Sequence, residues 1–201
     1  GVQGAAGEYV ITADVTVAET DVIALGDAKK VVFNDAVTLS VDGLVDFVAT
    51  DEVAFVAAEG ATPRPIYFTG DVESGGSFKN IAFNAVTIRY YGVADVNVEN
   101  CSFTGVTASE PCVNLGGDGL VTVSNCENSG EVAVVALGDT ASAPMVAGVV
   151  GNIEKAGNNH TFTNCVNKGR LDVDGNLGGN TCVAGIAGTN YVGFVNCQSL
   201  G

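Results

Sequence analysis

The sequence predicts an all-β chain wound as a parallel β-helix, a β-solenoid with three short strands in each coil. Three observations lead there. Asn-Cys, with Gly four residues after the Cys, returns at Asn100-Cys101, Asn125-Cys126, Asn164-Cys165 and Asn196-Cys197. Apolar residues make up 47% of the 201, yet they are mostly Val and Ala, with 27 Gly and no Trp, a mix that favours strands and tight turns. No run of about 11 or more residues carries the 3.6 period of a helix.

The elements follow in chain order. Residues 29–39 (KKVVFNDAVTL) resemble residues 78–88 (FKNIAFNAVTI), and residues 52–58 (EVAFVAA) lie between them, so Phe33, Phe55 and Phe83 fall at spacings of 22 and 28. From residue 96 the repeat sharpens. Residues 96–107 (VNVENCSFTGVT), 121–132 (VTVSNCENSGEV), 160–171 (HTFTNCVNKGRL) and 192–201 (VGFVNCQSLG) each open with alternating residues and reach Asn-Cys. In the first three, a second alternating run follows the Gly, which reads as two strands joined by a turn. Residues 112–117 (CVNLGG), 145–151 (MVAGVVG) and 182–188 (CVAGIAG) supply a third strand. At roughly 25 residues per turn, the chain makes about seven to eight coils. It reads as one domain over residues 1–201, with degenerate coils and an N-terminal cap over 1–95 and Asn-Cys coils over 96–201. An end just after a repeat is what a fragment of a longer chain with flanking domains would show.

In-register stacking explains why the motif returns. Equivalent residues of neighbouring parallel segments lie about 4.8 Å apart, so one corner demands one residue type each time. Asn100, Asn125, Asn164 and Asn196 are expected to pass amide hydrogen bonds along a ladder, with Gly supplying positive φ. Cys101, Cys126, Cys165 and Cys197 are expected to form an apolar row beside it. No Cys-x-x-Cys is present and His160 is the only His, so no metal centre and no catalytic thiolate are expected. Disulfides compete with buried reduced thiols. Side chains of in-register neighbours point the same way at strand spacing, wider than the ~3.8 Å between bridged Cβ atoms. Met145 also stands where Cys112 and Cys182 stand, which suits packing.

Residues 184–201 (AGIAGTNYVGFVNCQSLG) resemble a GLUG-type repeat: Gly, an aliphatic pair, Gly, a short loop, then aliphatic-x-Asn-Cys and Gly. Residues 145–169 are similar with a longer loop, and residues 112–130 depart from the pattern at Asn114. The resemblance covers roughly residues 96–201. It implies a right-handed β-helix in a large secreted or surface-attached bacterial protein of Bacteroidetes type, used as a stalk, adhesin or accessory module. The first 95 residues resemble only generic β-helix coils.

A net charge of −15, with eight Lys plus Arg, repels phosphate backbones and excludes nucleic acid as a partner. Polyuronic acids and anionic membrane surfaces are disfavoured on the same ground. No apolar run reaches the ~20 residues of a membrane span. The leader is not part of this chain, and the expected location is secreted or cell surface. Arg64, Arg89 and Arg170 look scattered, and the 23 acidic residues form too many accidental pairs to identify a catalytic one, so no catalytic residue and no cofactor are assigned. Residues 172–176 (DVDGN) begin like a calcium loop, but Leu177 and Val183 occupy the Gly and closing Glu positions. His160 reads as a solvent-facing or corner residue. Loop length is the better lead. The corners at residues 135–144, 153–159 and 174–181 are extended, and insertions gathered on one face mark binding faces. Tyr90, Tyr91 and Tyr191 are the aromatics suited to stacking on sugar, with at most one of the adjacent pair expected to face outward, and the binding candidates are Tyr90, Asp139, Asp174, Asn176 and Tyr191. The expected function is a noncatalytic module for adhesion, glycan binding or spacing, with polysaccharide or a host or cell-surface glycan as partner. The alternative is a polysaccharide-active β-helix enzyme, a glycoside hydrolase or lyase.

Overall fold

The computed structural model describes residues 2–3, 6–69, 73–108, 113–135, 145–147, 150–153, 160–174, 182–185 and 192–200. These residues form strands and turns with no helix. The strands gather into sheets of 14, six, three and two strands, and the largest curls into a half-barrel. Pairing is parallel except between Val2–Gln3 and Glu8–Ile11.

The expected right-handed β-helix of seven to eight coils, each with three short strands, is overturned by this arrangement. One curled sheet dominates in place of an even division into three faces. The physical reason lies at the corners. Strands Leu44–Ala57 and Gly75–Asn84 run 14 and 10 residues straight through the corner where two separate strands were expected. They pair on both sides of it, with only a shift of register between Val48 and Val53. The corner bends a continuous sheet and does not separate two.

The Asn residues make the bend. Asn100, Asn125, Asn164 and Asn196 sit at φ of 52–53°, and Asn80, in the preceding repeat, at 58°. Asn is one of the few non-Gly residues that adopts this left-handed conformation readily. Their amides run along the exposed edge. Asn80 Nδ2 donates to Ala49 O at 2.5 Å, Asn100 Nδ2 to Asn80 Oδ1 at 2.6 Å, Asn164 Nδ2 to Asn125 Oδ1 at 3.0 Å and Asn196 Nδ2 to Asn164 Oδ1 at 3.3 Å.

The expected positive φ of the corner glycines holds at Gly105 and fails at the next two. Gly105 has φ of 82°, but Gly130 and Gly169 are not left-handed. At Gly169 the backbones approach too closely for a side chain, since a Cβ there would lie 1.9 Å from Gly130 O.

Inward-facing residues stack in rows. Phe55, Phe83 and Phe103 occupy one row, and the Phe83 and Phe103 rings lie parallel at 4.8 Å. The same row continues as Asn128 and Asn167. Both are buried. Asn128 Nδ2 donates to Asn167 Oδ1 at 2.8 Å, and each Oδ1 accepts the N–H of the Gly two residues on. A polar pair replaces the aromatic one without leaving an unsatisfied amide. A parallel row runs Phe47, Phe78, Val98, Val123, Phe162, Phe194.

One sequence equivalence shifts. Met145 pairs with Cys182, but Val113 pairs with Val150, so strand Val113–Leu115 lies beside Val150–Ile153 and not beside Met145–Ala147. His160 is 1% exposed, not solvent-facing, and its Nδ1 accepts the Val121 N–H at 3.0 Å.

The Asn corner can be tested by separating backbone from side chain. Asn164→Gly keeps the left-handed conformation and loses only the exposed amide bonds, so it should cost about 0.5–1 kcal/mol. Asn164→Ala loses the same bonds but, unlike Gly, keeps a Cβ in that conformation, without the Asn amide that eases it, and should cost about 1–2 kcal/mol more than the Gly variant. Equal losses in urea unfolding for the two variants would count against the corner as a conformational constraint.

Candidate functional site

The sequence-based binding candidates are not brought together. Tyr90 is fully buried, with its ring 5.8 Å from Phe68 and its hydroxyl donating to Ala94 O at 2.6 Å. Burial raises its pKa, and it is a core residue with no face for a ligand. Asp174 ends strand Leu171–Asp174, paired with Val135. Asp139, Asn176 and Tyr191 lie outside the described residues, as do residues 136–144, 154–159 and 175–181 of the extended corners.

A different face gathers the chemistry. The six-stranded sheet orders Val150–Ile153, Val113–Leu115, Ile88–Tyr90, Ile66–Phe68, Leu39–Val41 and Val15–Val17. Alternation along Ile66–Phe68 and Ile88–Tyr90 sends the outer residues of each triplet inward and leaves the middle ones, Tyr67 and Arg89, half-buried on the outside. Register sets Arg89 directly beside Tyr67, in a row with Ser40 and Asn114. Tyr91 continues past the strand end, its ring 6.0 Å from that of Tyr67. Gly116 makes room for it, since a Cβ there would fall 2.3 Å from the Tyr91 ring.

Arg64, Pro65, Tyr67, Arg89 and Thr38 line a groove of about 460 Å³ on this face. The backbone of Arg64 is fixed from two sides: its N–H donates to Val37 O at 3.1 Å, and that of Ile66 to Thr87 O at 2.8 Å. Lys30, Lys79 and Lys168 are held by Glu8, Glu99 and Glu127. The exposed Arg64 guanidinium meets no carboxylate among the described residues. The Asp14 carboxylate at the rim accepts the Thr38 N–H at 2.8 Å. Arg64 and Arg89, scattered in sequence, are thus neighbours in space. The signal was available: aligning Ile66-Tyr67-Phe68 on Ile88-Arg89-Tyr90, residue for residue, sets the arginine on the tyrosine.

Two other concavities are less suited to a ligand. A groove of about 570 Å³ follows the Asn edge, with Asp51, Glu52 and Glu127 among its lining. It has no aromatic lining residue, and Lys168 engages Glu127 at 2.7 Å. An apolar cavity of about 330 Å³ near the N-terminus is lined by Ile11, Val15, Ile23, Leu25, Phe33 and others, with the Tyr9 hydroxyl already bonded to Asp27. Convergent polar groups that would orient a ligand are lacking there.

The cysteine row is structural. Cys101, Cys126, Cys165 and Cys197 are free thiols, the first three buried. Each Sγ lies against two carbonyls, one of its own strand and one of the preceding repeat: Phe78 O, Val98 O, Val123 O and Phe162 O in turn, at 3.4–3.8 Å. Burial pushes Cys165 up to about 11, and the Cys101 contact, with burial, raises Cys126 further. No group of three or more His, Cys, Asp or Glu among the described residues could hold a metal ion, and those residues contain no helix long and apolar enough to cross a membrane.

Comparison with protein-family models, curated proteins and solved structures yields no match to this chain.

The thiol row predicts an order of reactivity. In a short alkylation pulse at about pH 8, half-buried Cys197 should label first, and Cys165, with a thiolate fraction of about one in a thousand, far more slowly. Equal labelling of the two in peptide maps, or a disulfide among the four, would overturn the assignment. His160 predicts a pH dependence. Burial lowers its pKa, so the unfolded chain takes up the proton first. Stability is full above about pH 6.5 and is lost as pH falls through the folded pKa. The urea midpoint should drop between about pH 7.5 and 5.5, and His160→Asn, which keeps an acceptor for Val121, should flatten that drop. An unchanged slope in the variant would refute it.

Proposed function

We propose that the protein is a noncatalytic glycan-binding module working outside the cell or at its surface. The observation that carries this reading is the Tyr67–Tyr91 pair on the open face of the six-stranded sheet, flanked by the groove that holds Arg64 and Arg89. Sugar rings present C–H faces that pack on aromatic rings while their hydroxyls bond to polar neighbours. A rigid sheet fixes both tyrosines in advance, which lowers the cost of ordering on binding. The GLUG-like spacing of residues 184–201 supports a surface role. Adhesion is the natural use of such a module.

The enzyme alternative has less behind it. A glycosidase needs two carboxyl groups facing each other across a bound sugar. The groove that carries carboxylates is not the one that carries aromatics.

A glycan-array screen of the full chain, with reducing-sugar release measured on the hits, tests the reading. Retention without release is expected, and Tyr67→Ala should weaken it about tenfold, the equivalent of about 1.4 kcal/mol. Release of reducing sugar would overturn the noncatalytic assignment. An array with no hits, or hits indifferent to Tyr67→Ala, would overturn the site.

A further inference from the structure

We infer that the apolar cavity near the N-terminus is a binding site for a short alkyl chain. The inference is independent of the glycan-binding reading and concerns a different part of the molecule.

The cavity is a gap in a row. Register carries the inward row of Phe55, Phe83 and Phe103 back to Val31 and then to Tyr9. Val31 is too short to fill the place that a phenyl ring fills in the later repeats, and the Tyr9 hydroxyl is drawn to Asp27. About 330 Å³ is left open, walled by Val31, Ile11, Val15, Ile23, Leu25 and Leu39 with three Phe rings behind. Protein interiors seldom leave a void much larger than a water molecule. An empty apolar one costs stability in proportion to its volume, so a guest that fills it is favoured.

The walls decide the chemistry of the guest. Tyr9 is the one polar side chain among the lining residues, and its hydroxyl already bonds to Asp27. Water inside would lack most of its partners, and a sugar would bury hydroxyls unmet. An alkyl chain has no polar group to leave unmet. Phe55 packs against Phe33 and Phe47 at 5.8 and 5.4 Å, so the remaining wall is aliphatic and suits a flexible chain over a flat ring. The site is also set before binding. Strand Glu8–Ile11 is paired on both sides, with Val2–Gln3 and Lys30–Phe33. The turn after Leu25 is closed by the Ala28 N–H, which donates to Leu25 O at 3.0 Å. Fixed walls keep the ordering cost of binding low.

Displacement of the neutral dye N-phenyl-1-naphthylamine from the full chain by linear 1-alkanols tests this. Dye binding should saturate, and displacing potency should rise about fourfold per methylene from 1-butanol to 1-octanol. Hexane-1,6-diol, which must bury a hydroxyl, should be about tenfold weaker than 1-hexanol. Val31→Phe puts into the gap the ring that the row carries elsewhere. It should weaken dye and alkanol binding about tenfold and raise the melting temperature by about 2–4 °C. A variant that binds less and melts higher has not lost its fold. Ile11→Phe, beside Phe33 in register, fills the cavity from a second wall and should weaken binding likewise. Phe194→Ser, on the exposed strand Val192–Val195, should leave binding unchanged. Potency that does not grow with chain length, or binding that survives both filling variants, would overturn the site. Binding lost in Phe194→Ser would place the dye on that exposed strand and overturn it as well.

Discussion

Parallel pairing in register sets each residue about 4.8 Å from its counterpart in the next repeat. The rest of the structure depends on what tolerates a copy of itself at that distance. Asn tolerates it because its amide is both donor and acceptor, so Asn100 bonds to Asn80 and Asn196 to Asn164. A thiol tolerates it because its weak donor finds a carbonyl of the preceding repeat. Phe tolerates it by stacking or tilting. Charges of one sign do not, and the charged positions alternate accordingly. Lys30 neighbours Glu8 and Lys79 neighbours Glu99.

The same constraint explains how the interior can change character midway without losing register. The row of Phe55, Phe83 and Phe103 passes to Asn128 and Asn167 in one step. A buried amide is costly unless every hydrogen-bonding group is met. Here each Asn also holds the N–H of the glycine at the following corner. The glycine is needed because backbones touch there, and the Asn is needed because the glycine N–H is inside. The two residues form one unit, which is why they recur together as Asn-x-Gly in ENSG and VNKG. Ser199 takes the row's last place.

Much of this was legible in the sequence because stacking copies residues. The Asn-Cys row and the Phe55–Phe83 pairing follow from the spacing of identical letters. Where the letters changed, legibility failed. Asn80 belongs to the corner row, but Ile81 stands where the later repeats have Cys, so the pair did not register as Asn-Cys. Ala36 and Ala85 adopt φ of 54° and 55°, a conformation that their residue type does not announce. The length of Leu44–Ala57 could not be read, because whether a corner bends a sheet or breaks it depends on pairing across it. His160 looked exposed because a lone polar residue at the start of a run has no stacked copy. Its partner is a backbone N–H, which leaves no trace in sequence. Arg64 and Arg89 were missed for the complementary reason. Arg89 pairs with an unlike residue, Tyr67, and Arg64 lies outside the strands, so a search for repeats passes over both.

That failure is informative about function. Rows of like residues are what the fold needs, so a place where unlike residues meet on an outer face has been released from the stacking requirement. On the six-stranded sheet the outward row reads Thr16, Ser40, Tyr67, Arg89, with no residue repeated. Inward, the adjacent row stays apolar through Val41, Phe68 and Tyr90. The interior keeps the sheet rigid while the exterior varies. The Tyr67 and Tyr91 rings present an aromatic patch on the face that also carries Arg64 and Arg89. On a chain whose field is otherwise negative, screening confines the effect of Arg64 and Arg89 to the groove itself. The glycan proposed for that face would be recognised at short range, by contact with the two rings and their neighbours, with no help from long-range steering.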